Sequence, residues 1–333
     1  MPAYGSVSAP IGIGLIGLGR HGMRYARHLL EPLPNARLVA VCRRDVAQGA
    51  AFAADHSVRF YRDYRDLIAD TAVQAVVVVT PPSLARPVCL EAVRARKPLL
   101  IEKPLAPIGP EAREMVHAAE SSGIPLMTAQ TLRFDAAVLA LKAQLATVGP
   151  RRYLVLTTRV EPRPEVWADP TGYAGRGVLL EIGIHLLDLV RFLTGEEVVE
   201  ARCEMDRPSP RSPESRALVS LRTTGDLPCI VDVSCVTGGR VSRAEWVGGD
   251  GQMIADWARH RLCKTSTRNE VEEWSVEDRP TVVATLQAFL DALERGAPMP
   301  ITGLDGQRAV EIADACYESA ETGRDVRLVR SVS

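Results

Sequence analysis

Lys103 is the residue of this chain whose position most directly suggests chemistry. Only four of the 40 basic residues are lysines, and a single residue separates Lys103 from the aliphatic run 99–101, which has the character of a buried strand. A side chain at the carboxyl end of a parallel strand points toward the crevice where open α/β sheets bind ligands. An ammonium group is costly to hold there unless something uses it. The alternative is an ordinary surface lysine where the strand gives way to a loop.

A second group of reactive side chains lies on a predicted helix over residues 178–194. Glu181 and His185 are four residues apart, and His185 and Asp188 are three apart, so an α-helix would place all three on one face. A carboxylate beside an imidazole fixes its orientation and favours its charged form, which is how a proton-transfer histidine is usually supported. A hydrogen-bonded core histidine is the alternative. A metal site built from these residues is disfavoured, because the chain offers no further matching ligand set.

Glycines with the spacing of a nucleotide-binding loop occur near the start of the chain. The pattern G-x-G-x-x-G fits in two registers, and the earlier one leaves almost no strand ahead of it. The later register, Gly17, Gly19 and Gly22, follows the apolar run 11–16 and opens a predicted helix at Arg20. In that setting the glycines allow a tight turn, close approach of a pyrophosphate and close packing of helix on strand. Because N–H groups at a helix start bind anions, the loop predicts a dinucleotide site.

The residues that follow the second predicted strand indicate which dinucleotide is bound. An acidic residue there would hold the adenosine ribose hydroxyls, whereas arginine would accept a 2′-phosphate. Arg43 and Arg44 come first, and Asp45 comes later, where a capping box with Gln48 explains it. This order favours NADP(H) over NAD(H). The alternative leaves both arginines in solvent and turns Asp45 toward the ribose.

Short apolar runs alternate with helical patterns as far as residue 128. Continuous apolar strands separated by helices are typical of a parallel sheet covered on both faces, and right-handed crossovers make it a doubly wound, or Rossmann, sheet. The predicted strands are residues 11–16, 38–42, 73–80, 98–102 and 124–128.

Beyond Gln130 the pattern changes to sequential strands joined by short turns, which predicts an α+β domain with an open mixed or antiparallel sheet. Because 333 residues exceed one ordinary core, we expect a dinucleotide-binding domain over 1–127 and a second domain over 128–333. Strands are expected near 152–160, 197–206, 215–222, 228–236, 241–248 and 252–257, with helices over 136–145, 178–194, 281–295 and 305–322.

Composition narrows the classes of partner. The net charge of -1 gives no general attraction for nucleic acid or an anionic membrane. No apolar run approaches the roughly 20 residues of a membrane span. The seven cysteines are odd in number and show no C-x-x-C spacing, which favours reduced thiols. We therefore expect a cytoplasmic protein that binds a small molecule, with no nucleic-acid or membrane partner and no metal site.

Together with further segments, these motifs resemble the glucose–fructose oxidoreductase/inositol dehydrogenase family, usually called Gfo/Idh/MocA. The similarity runs over nearly the whole chain. The Glu-Lys-Pro and Gly-x-His segments, in this order and spacing, are specific, whereas the glycine loop alone is not. The segments are 17–22, Thr80-Pro81-Pro82-Ser83, Glu102-Lys103-Pro104, 129–134, 181–188 and 318–324.

The resemblance implies a Rossmann domain followed by an α/β domain that binds substrate and, through its open sheet, forms a homodimer or homotetramer. It implies an NAD(P)-dependent dehydrogenase or reductase of sugars, cyclitols or related polyols. The family's catalytic lysine falls on Lys103 and its proton-transfer histidine on His185. The position four residues earlier is usually aspartate and is Glu181 here, one methylene longer. Members that use NAD(H) usually carry aspartate at the position of Arg43.

We therefore expect reversible hydride transfer between a carbinol carbon and nicotinamide C4. His185 would move the hydroxyl proton, Lys103 would stabilise the reacting oxygen, and Glu181 would tune His185. Substrate contacts are expected from Lys103, Arg133, Trp167, Tyr173 and His185, with ordinary packing as the alternative for Arg133 and the two aromatic residues. Cofactor contacts are expected from Gly17, Gly19, Arg20, His21, Gly22, Arg43, Arg44, Thr80, Pro81, Glu102, Lys103 and Gln130.

Two other functions fit the same scaffold. A non-catalytic, cofactor-sensing regulator could have lost Lys103 or His185, and this chain retains both. A redox-cycling glycosidase would use the same hydride chemistry to activate a carbon for elimination. It would release a sugar without net reduction of the cofactor.

Overall fold

The structure, a computed structural model, describes residues 10–31, 33, 35–162, 173–206 and 212–328. Their packing forms two compact units, and each unit draws on several stretches of the chain. The first unit comprises the described residues of 1–102, 113–129 and 282–303. The second comprises those of 103–112, 130–281 and 304–333. The predicted domain boundary at 127/128 stays a prediction, because packing units need not coincide with domains that fold independently.

The first unit is built on a parallel sheet with the order β3-β2-β1-β4-β5-β6. The order reverses between β1 and β4, which makes the carboxyl ends of these two strands the switch point where doubly wound sheets bind ligands. The residues of β4, β5 and β6 are all buried, as expected of strands covered on both faces. The strands are β1 Ile11–Ile16, β2 Ala36–Cys42, β3 Arg59–Tyr61, β4 Ala75–Val78, β5 Leu99–Glu102 and β6 Leu126–Ala129.

The second unit is built on a mixed sheet with the order β14-β13-β12-β11-β7-β10-β9-β8-β15. Strands β7 and β10 are parallel, and the other neighbours are antiparallel. The strands are β7 Arg151–Arg159, β8 Val198–Asp206, β9 Arg216–Thr223, β10 Pro228–Ser234, β11 Val241–Gly248, β12 Gly251–Asp256, β13 Arg261–Ser266, β14 Val271–Ser275 and β15 Val326–Arg327.

The helices of the described residues flank these sheets. A short 3-10 helix, Thr131–Phe134, follows β6, and a π-helical segment, Leu179–Gly183, leads into α7. None of the helices in the described ranges is long and apolar enough to cross a lipid bilayer. The α-helices are α1 Gly22–Leu30, α2 Val46–His56, α3 Tyr64–Ala69, α4 Pro82–Arg94, α5 Gly109–Ser121, α6 Ala136–Gln144, α7 Ile184–Thr194, α8 Thr281–Arg295 and α9 Gly303–Thr322.

The predicted fold class is confirmed for both sheets, but several short elements were not predicted. The helix expected over 281–295 coincides with α8. The missed strands β3, β13, β14 and β15 are short and carry polar or exposed residues. Because such strands bury few side chains, they leave no apolar run for the sequence to reveal.

The nine-stranded sheet buries one face and exposes the other. Residues of β9 alternate strictly between exposed and buried, as the pleat requires. Helix α7 packs on β7 and β10, and α6 packs on β12 and β13. The opposite face carries large apolar side chains that are about two-fifths exposed, namely Tyr153, Leu218 and Ile230.

Candidate active site

The glycine loop between β1 and α1 has the close contacts that only glycine permits. Gly17 has a φ of 102°, and a Cβ there would lie 2.1 Å from the carbonyl oxygen of Val79. A Cβ on Gly22 would lie 1.8 Å from the carbonyl oxygen of Gly17. A Cβ on Gly19 would meet no atom within 4 Å, so the backbone there faces open space. The loop therefore packs tightly at both ends and leaves its middle open to a bound group.

A cavity of about 500 Å³ lies beside this loop, within the first unit. Its walls come from the loop and the residues that follow β2, β3 and β4, including Thr80 and Pro81. Three arginines and a tyrosine line it: Arg43, Arg44, Arg62 and Tyr64. Arg62 and Tyr64 were not predicted, because β3 was missed. An arginine directly after a strand next to β2 is the signal that could have identified them.

Arg43 and Asp45 make local contacts at the cavity wall. Arg43 donates from Nη1 to the carbonyl oxygen of Leu18 at 2.7 Å and from Nη2 to Oε1 of Gln48. Asp45 accepts from the backbone N–H of Gln48 at 3.0 Å and from its side-chain amide at 2.7 Å. The predicted capping role of Asp45 is thus confirmed. Both carboxylate oxygens of Asp45 already accept hydrogen bonds from Gln48, which favours the capping interpretation over a turn toward the ribose.

Glu102, at the carboxyl end of β5, is tied to the glycine loop and α1. Its carboxylate is 8% exposed and accepts from the Tyr25 hydroxyl at 2.6 Å. His21, the residue before α1, places Nε2 at 2.7 Å from the same oxygen. Burial, together with the Glu102 charge, raises the pKa of Tyr25 well above its usual value, so Tyr25 stays a hydrogen-bond donor. Tyr25 was not predicted as a site residue, because tyrosine in an amphipathic helix usually signals core packing.

Buried polar atoms near the sheet edge fit a dinucleotide. Gln130 is 1% exposed, and neither atom of its amide has a hydrogen-bond partner among the described residues. The buried hydroxyl oxygen of Thr80, at the cavity wall, likewise has no partner in the part of the chain described. Buried polar groups are nearly always paired, so such atoms indicate a missing ligand group. In the first unit, the Thr80 hydroxyl and the open glycine loop fit the ribose and phosphate groups of a nicotinamide dinucleotide.

Lys103 contacts the chain segment that carries the other two proposed catalytic residues. Its Nζ donates to the carbonyl oxygen of Glu181 at 2.6 Å. Glu181 is buried within the π-helical segment, and His185 is the second residue of α7, half-buried. The peptide bond between Lys103 and Pro104 is cis. A direct hydrogen bond thus joins Lys103 to the histidine helix, the helical segment 178–194 that carries His185.

The predicted geometry of the histidine helix needs correction. The expectation that Glu181, His185 and Asp188 share one face assumed a regular α-helix over 178–194. Instead, the backbone is π-helical over 179–183, and a π turn holds more residues than an α turn. His185 and Asp188 both lie in the regular helix α7, so their three-residue spacing keeps its meaning, whereas the place of Glu181 on the same face stays a prediction. Such π segments recur at functional sites.

Asp188 pairs with a residue that was predicted to contact substrate. Asp188 is 1% exposed and accepts two hydrogen bonds from Arg133, from Nε at 2.7 Å and from Nη2 at 2.6 Å. Arg133 also donates to Asp305 at 3.0 Å. This buried pairing favours a structural role for Arg133, and direct substrate contact stays a prediction.

Tyr173 and Trp167 are the other two residues that were predicted to contact substrate. Tyr173 is half-buried, and its carbonyl oxygen accepts from the N–H of Arg176 at 3.1 Å. Trp167 lies outside the described residues. Within the described ranges, no group of three or more His, Cys, Asp and Glu side chains could hold a metal ion.

Comparison with known proteins identifies the family. Residues 11–130 match the model of the Gfo/Idh/MocA oxidoreductase family for its NAD-binding Rossmann fold, and residues 153–328 match the model for its C-terminal alpha/beta domain. The chain belongs to the Gfo/Idh/MocA oxidoreductase family. This confirms the predicted resemblance, and membership makes the chain an NAD(P)-dependent oxidoreductase.

Individual relatives of this Gfo/Idh/MocA protein agree with that conclusion. It is 31% identical over 331 residues to inositol 2-dehydrogenase 2 of Saccharopolyspora erythraea, covering 93% of each chain. It is 30% identical over 324 residues to inositol 2-dehydrogenase of Paracoccus denitrificans, covering 93% of this chain and 94% of the relative. The aldose-aldose oxidoreductase of Caulobacter crescentus shares its fold, with a TM-score of 0.85 at 24% identity over 96% of this chain and 100% of the other. The two inositol dehydrogenases favour an oxidoreductase over a regulator or a redox-cycling glycosidase.

Proposed function

We propose that this protein transfers hydride between nicotinamide C4 and a CH–OH carbon of a cyclitol or a closely related polyol. The observation that carries the proposal is the hydrogen bond from Lys103 to the carbonyl oxygen of Glu181, four residues before His185. It joins the candidate ammonium to the segment that bears the candidate base. Two relatives at 31% and 30% identity, named inositol 2-dehydrogenase 2 and inositol 2-dehydrogenase, support a cyclitol as substrate.

Each catalytic side chain has one proposed role. His185 removes the hydroxyl proton during oxidation of the substrate and returns it during reduction. Lys103 donates a hydrogen bond to the reacting oxygen and stabilises the negative charge that develops there. Glu181 orients or tunes His185. When bound, the nicotinamide supplies or accepts the hydride.

The residues predicted from the sequence are proposed to hold the cofactor. N–H groups at the start of α1, with Arg20 and His21, face the pyrophosphate. Thr80, Pro81 and Glu102 contact the nicotinamide ribose, and the Gln130 amide binds the nicotinamide or the substrate. The orphaned Gln130 and Thr80 atoms support this assignment.

The direct test is a steady-state assay of NAD(P)(H) absorbance with a panel of cyclitols, sugars, keto-sugars and nucleotide-sugars. We expect turnover with at least one cyclitol or other polyol, at one mole of cofactor converted per mole of product. Release of a free sugar without net cofactor conversion would support the redox-cycling glycosidase. Tight cofactor binding without turnover on any substrate would support the regulator.

NADP(H) is the proposed cofactor in preference to NAD(H). Arg43 and Arg44 follow β2 at the cavity wall, and Arg62, after the neighbouring strand, adds a third guanidinium to the same cavity. Guanidinium groups are well suited to bind a 2′-phosphate. The hydrogen bonds from Gln48 to both carboxylate oxygens of Asp45 support the same preference.

Arg43→Asp is expected to raise the dissociation constant of NADP(H) by about 10-fold or more, because a charge-assisted hydrogen bond to phosphate is lost and a repulsive charge is added. The NAD(H) dissociation constant should change much less. Titration calorimetry with both dinucleotides measures the two values. The matched control is Arg37→Asp, at an exposed position on β2, the strand that Arg43 follows. It should alter neither dissociation constant. An unchanged NADP(H) dissociation constant in Arg43→Asp would contradict the preference.

We further propose a cytoplasmic homodimer or homotetramer. The exposed apolar side chains Tyr153, Leu218 and Ile230 on the open face of the nine-stranded sheet support self-association through that face. The cysteines in the described part of the chain are free thiols, and burial raises the pKa of Cys42, at the cofactor cavity, to about 11, as suits inert thiols in a reducing compartment. A mass in solution equal to one chain would contradict the oligomer.

A further inference from the structure

One buried carboxylate holds the start of the histidine helix. Glu214 lies before β9 and is 0% exposed. Its Oε2 accepts from the N–H of Gly177 at 2.8 Å, and its Oε1 accepts from the N–H of Leu179 at 3.0 Å. Its own carbonyl oxygen accepts from the N–H of Val178 at 3.0 Å. Three consecutive N–H groups at the beginning of the π-helical segment are therefore bound by a single residue.

These contacts have a clear physical basis. The first N–H groups of a helix have no partner within the helix, and a negative charge at that end is favoured by the helix dipole. The approach requires glycine at position 177, because a Cβ there would lie 2.2 Å from the carbonyl oxygen of Glu214. Both the carboxylate and the glycine are thus needed to fix where the segment that carries Glu181 begins.

The same carboxylate is connected to the chain that follows Lys103. The buried Tyr317 hydroxyl donates to Oε1 of Glu214 at 2.6 Å, and burial, together with the Glu214 charge, raises the pKa of Tyr317 well above its usual value. The Arg176 guanidinium lies 4.4 Å from the centre of the Tyr317 ring. Arg176 donates to the carbonyl oxygen of Pro107 at 2.7 Å. The residue next to Gly177 thus anchors the segment that begins at Lys103.

A second link ties the same segment to helix α9. Arg176 also pairs with Oδ1 of Asp314 at 2.5 Å, and Oδ2 of Asp314 accepts from the N–H of Gly109 at 2.7 Å. Asp314 and Tyr317 both belong to α9. The network therefore holds the segment after Lys103 and the start of the histidine helix against one rigid element.

We propose that Glu214 is a positioning residue for catalysis, which sets the location of His185 relative to Lys103 without touching substrate or cofactor. The inference rests on the proposed function, since it assumes that these two side chains act on one oxygen. Loss of the carboxylate would let the start of the π-helical segment shift, and a displacement of about 1 Å at a reacting group can cost about 10²-fold in rate.

The decisive variant is Glu214→Gln, which keeps the side-chain volume but replaces one acceptor oxygen by an amide donor facing a backbone N–H. We expect kcat to fall by roughly 10- to 100-fold while KM changes little. Here kcat is calculated per cofactor-binding site, so that only folded enzyme is counted. Amide hydrogen exchange at 177–185 should be at least about tenfold faster than in the wild type, because one of the three N–H groups loses its acceptor and faces a donor instead. Glu204→Gln, exposed on β8, is the matched control and should change neither quantity.

Two milder variants keep the test informative if Glu214→Gln fails to fold. Glu214→Asp retains the charge and should recover part of kcat, and Tyr317→Phe removes only the hydroxyl donated to Glu214 and should lower kcat by a smaller factor. Normal kcat together with normal amide protection in all three variants would overturn the inference. Failure of the proposed function would look different: the wild type itself would show no turnover on the substrate panel.

Discussion

His185→Ala and Lys103→Ala are each expected to lower kcat by about 10²-fold or more while leaving the dissociation constant of the dinucleotide nearly unchanged. General acid–base catalysis by a positioned side chain contributes about 10²- to 10⁴-fold, and a positioned donor at a developing oxyanion contributes a similar amount. Neither residue is part of the glycine loop or the cavity beside it, so cofactor binding should persist. Steady-state kinetics and calorimetric titration of the cofactor give the two quantities.

Controls separate this effect from general damage to the protein. Lys264→Ala on β13 and His117→Ala on the exposed side of α5 remove the same types of side chain away from the proposed site, and both should retain wild-type kcat. Lys103 also donates to the carbonyl oxygen of Glu181, so Lys103→Ala removes a structural contact as well as a proposed catalytic one. The double variant Lys103→Ala/His185→Ala should therefore be compared with both single variants. Clearly non-additive losses are expected if the two side chains act on one oxygen. Normal turnover in either single variant would remove that residue from the mechanism.

Asp188→Asn is expected to destabilise the protein by about 3 kcal/mol. The substitution keeps the side-chain volume but leaves the buried Arg133 guanidinium facing an amide, and breaking a buried ion pair from one side typically costs about 3–5 kcal/mol. The lower end applies, because Asp305 still accepts one hydrogen bond from Arg133. The free energy of unfolding of the protein, from urea denaturation, measures the effect.

The matched control for that prediction is Asp325→Asn. Asp325 faces Arg202 at 3.5 Å, with both side chains about half exposed, and exposed pairs of this kind contribute little. Its unfolding transition should coincide with that of the wild type. If Asp188→Asn also left the unfolding transition unchanged, Arg133 would not depend on its buried partner. The prediction that Arg133 contacts substrate would then regain support.

Features that depend on near neighbours in the chain were predicted well. The capping role of Asp45 follows from a residue three positions away, and it is confirmed. The alternation of apolar runs and helical patterns predicted both sheets, because buried strands and amphipathic helices leave different periodicities in the sequence. The missed strands β3, β13, β14 and β15 are those whose residues are too few or too exposed to leave such a pattern.

Partners that are distant in the chain could not be predicted. Tyr25 and Glu102 are 77 residues apart, Arg133 and Asp188 are 55 apart, and Glu214 and Gly177 are 37 apart. With 40 basic and 41 acidic residues, the sequence offers far too many candidate pairs to single these out. The π-helical turn before α7 was hidden for another reason: its five residues, 179–183, are too few to distinguish a π turn from an α turn by their apolar spacing.

The amino-acid sequence by itself determined the two kinds of sheet, the dinucleotide loop and the two segments that carry Lys103 and His185, because periodicity, turn chemistry and glycine spacing are local properties of the chain. Only the tertiary structure decided which groups those segments contact. Three contacts depend on close packing between elements far apart in the chain. They are the hydrogen bond from Lys103 to Glu181, the buried pair of Arg133 and Asp188, and the hydrogen bonds that Glu214 accepts at the start of the histidine helix. Packing of that kind is a property of the folded molecule as a whole, and local sequence carries no record of it.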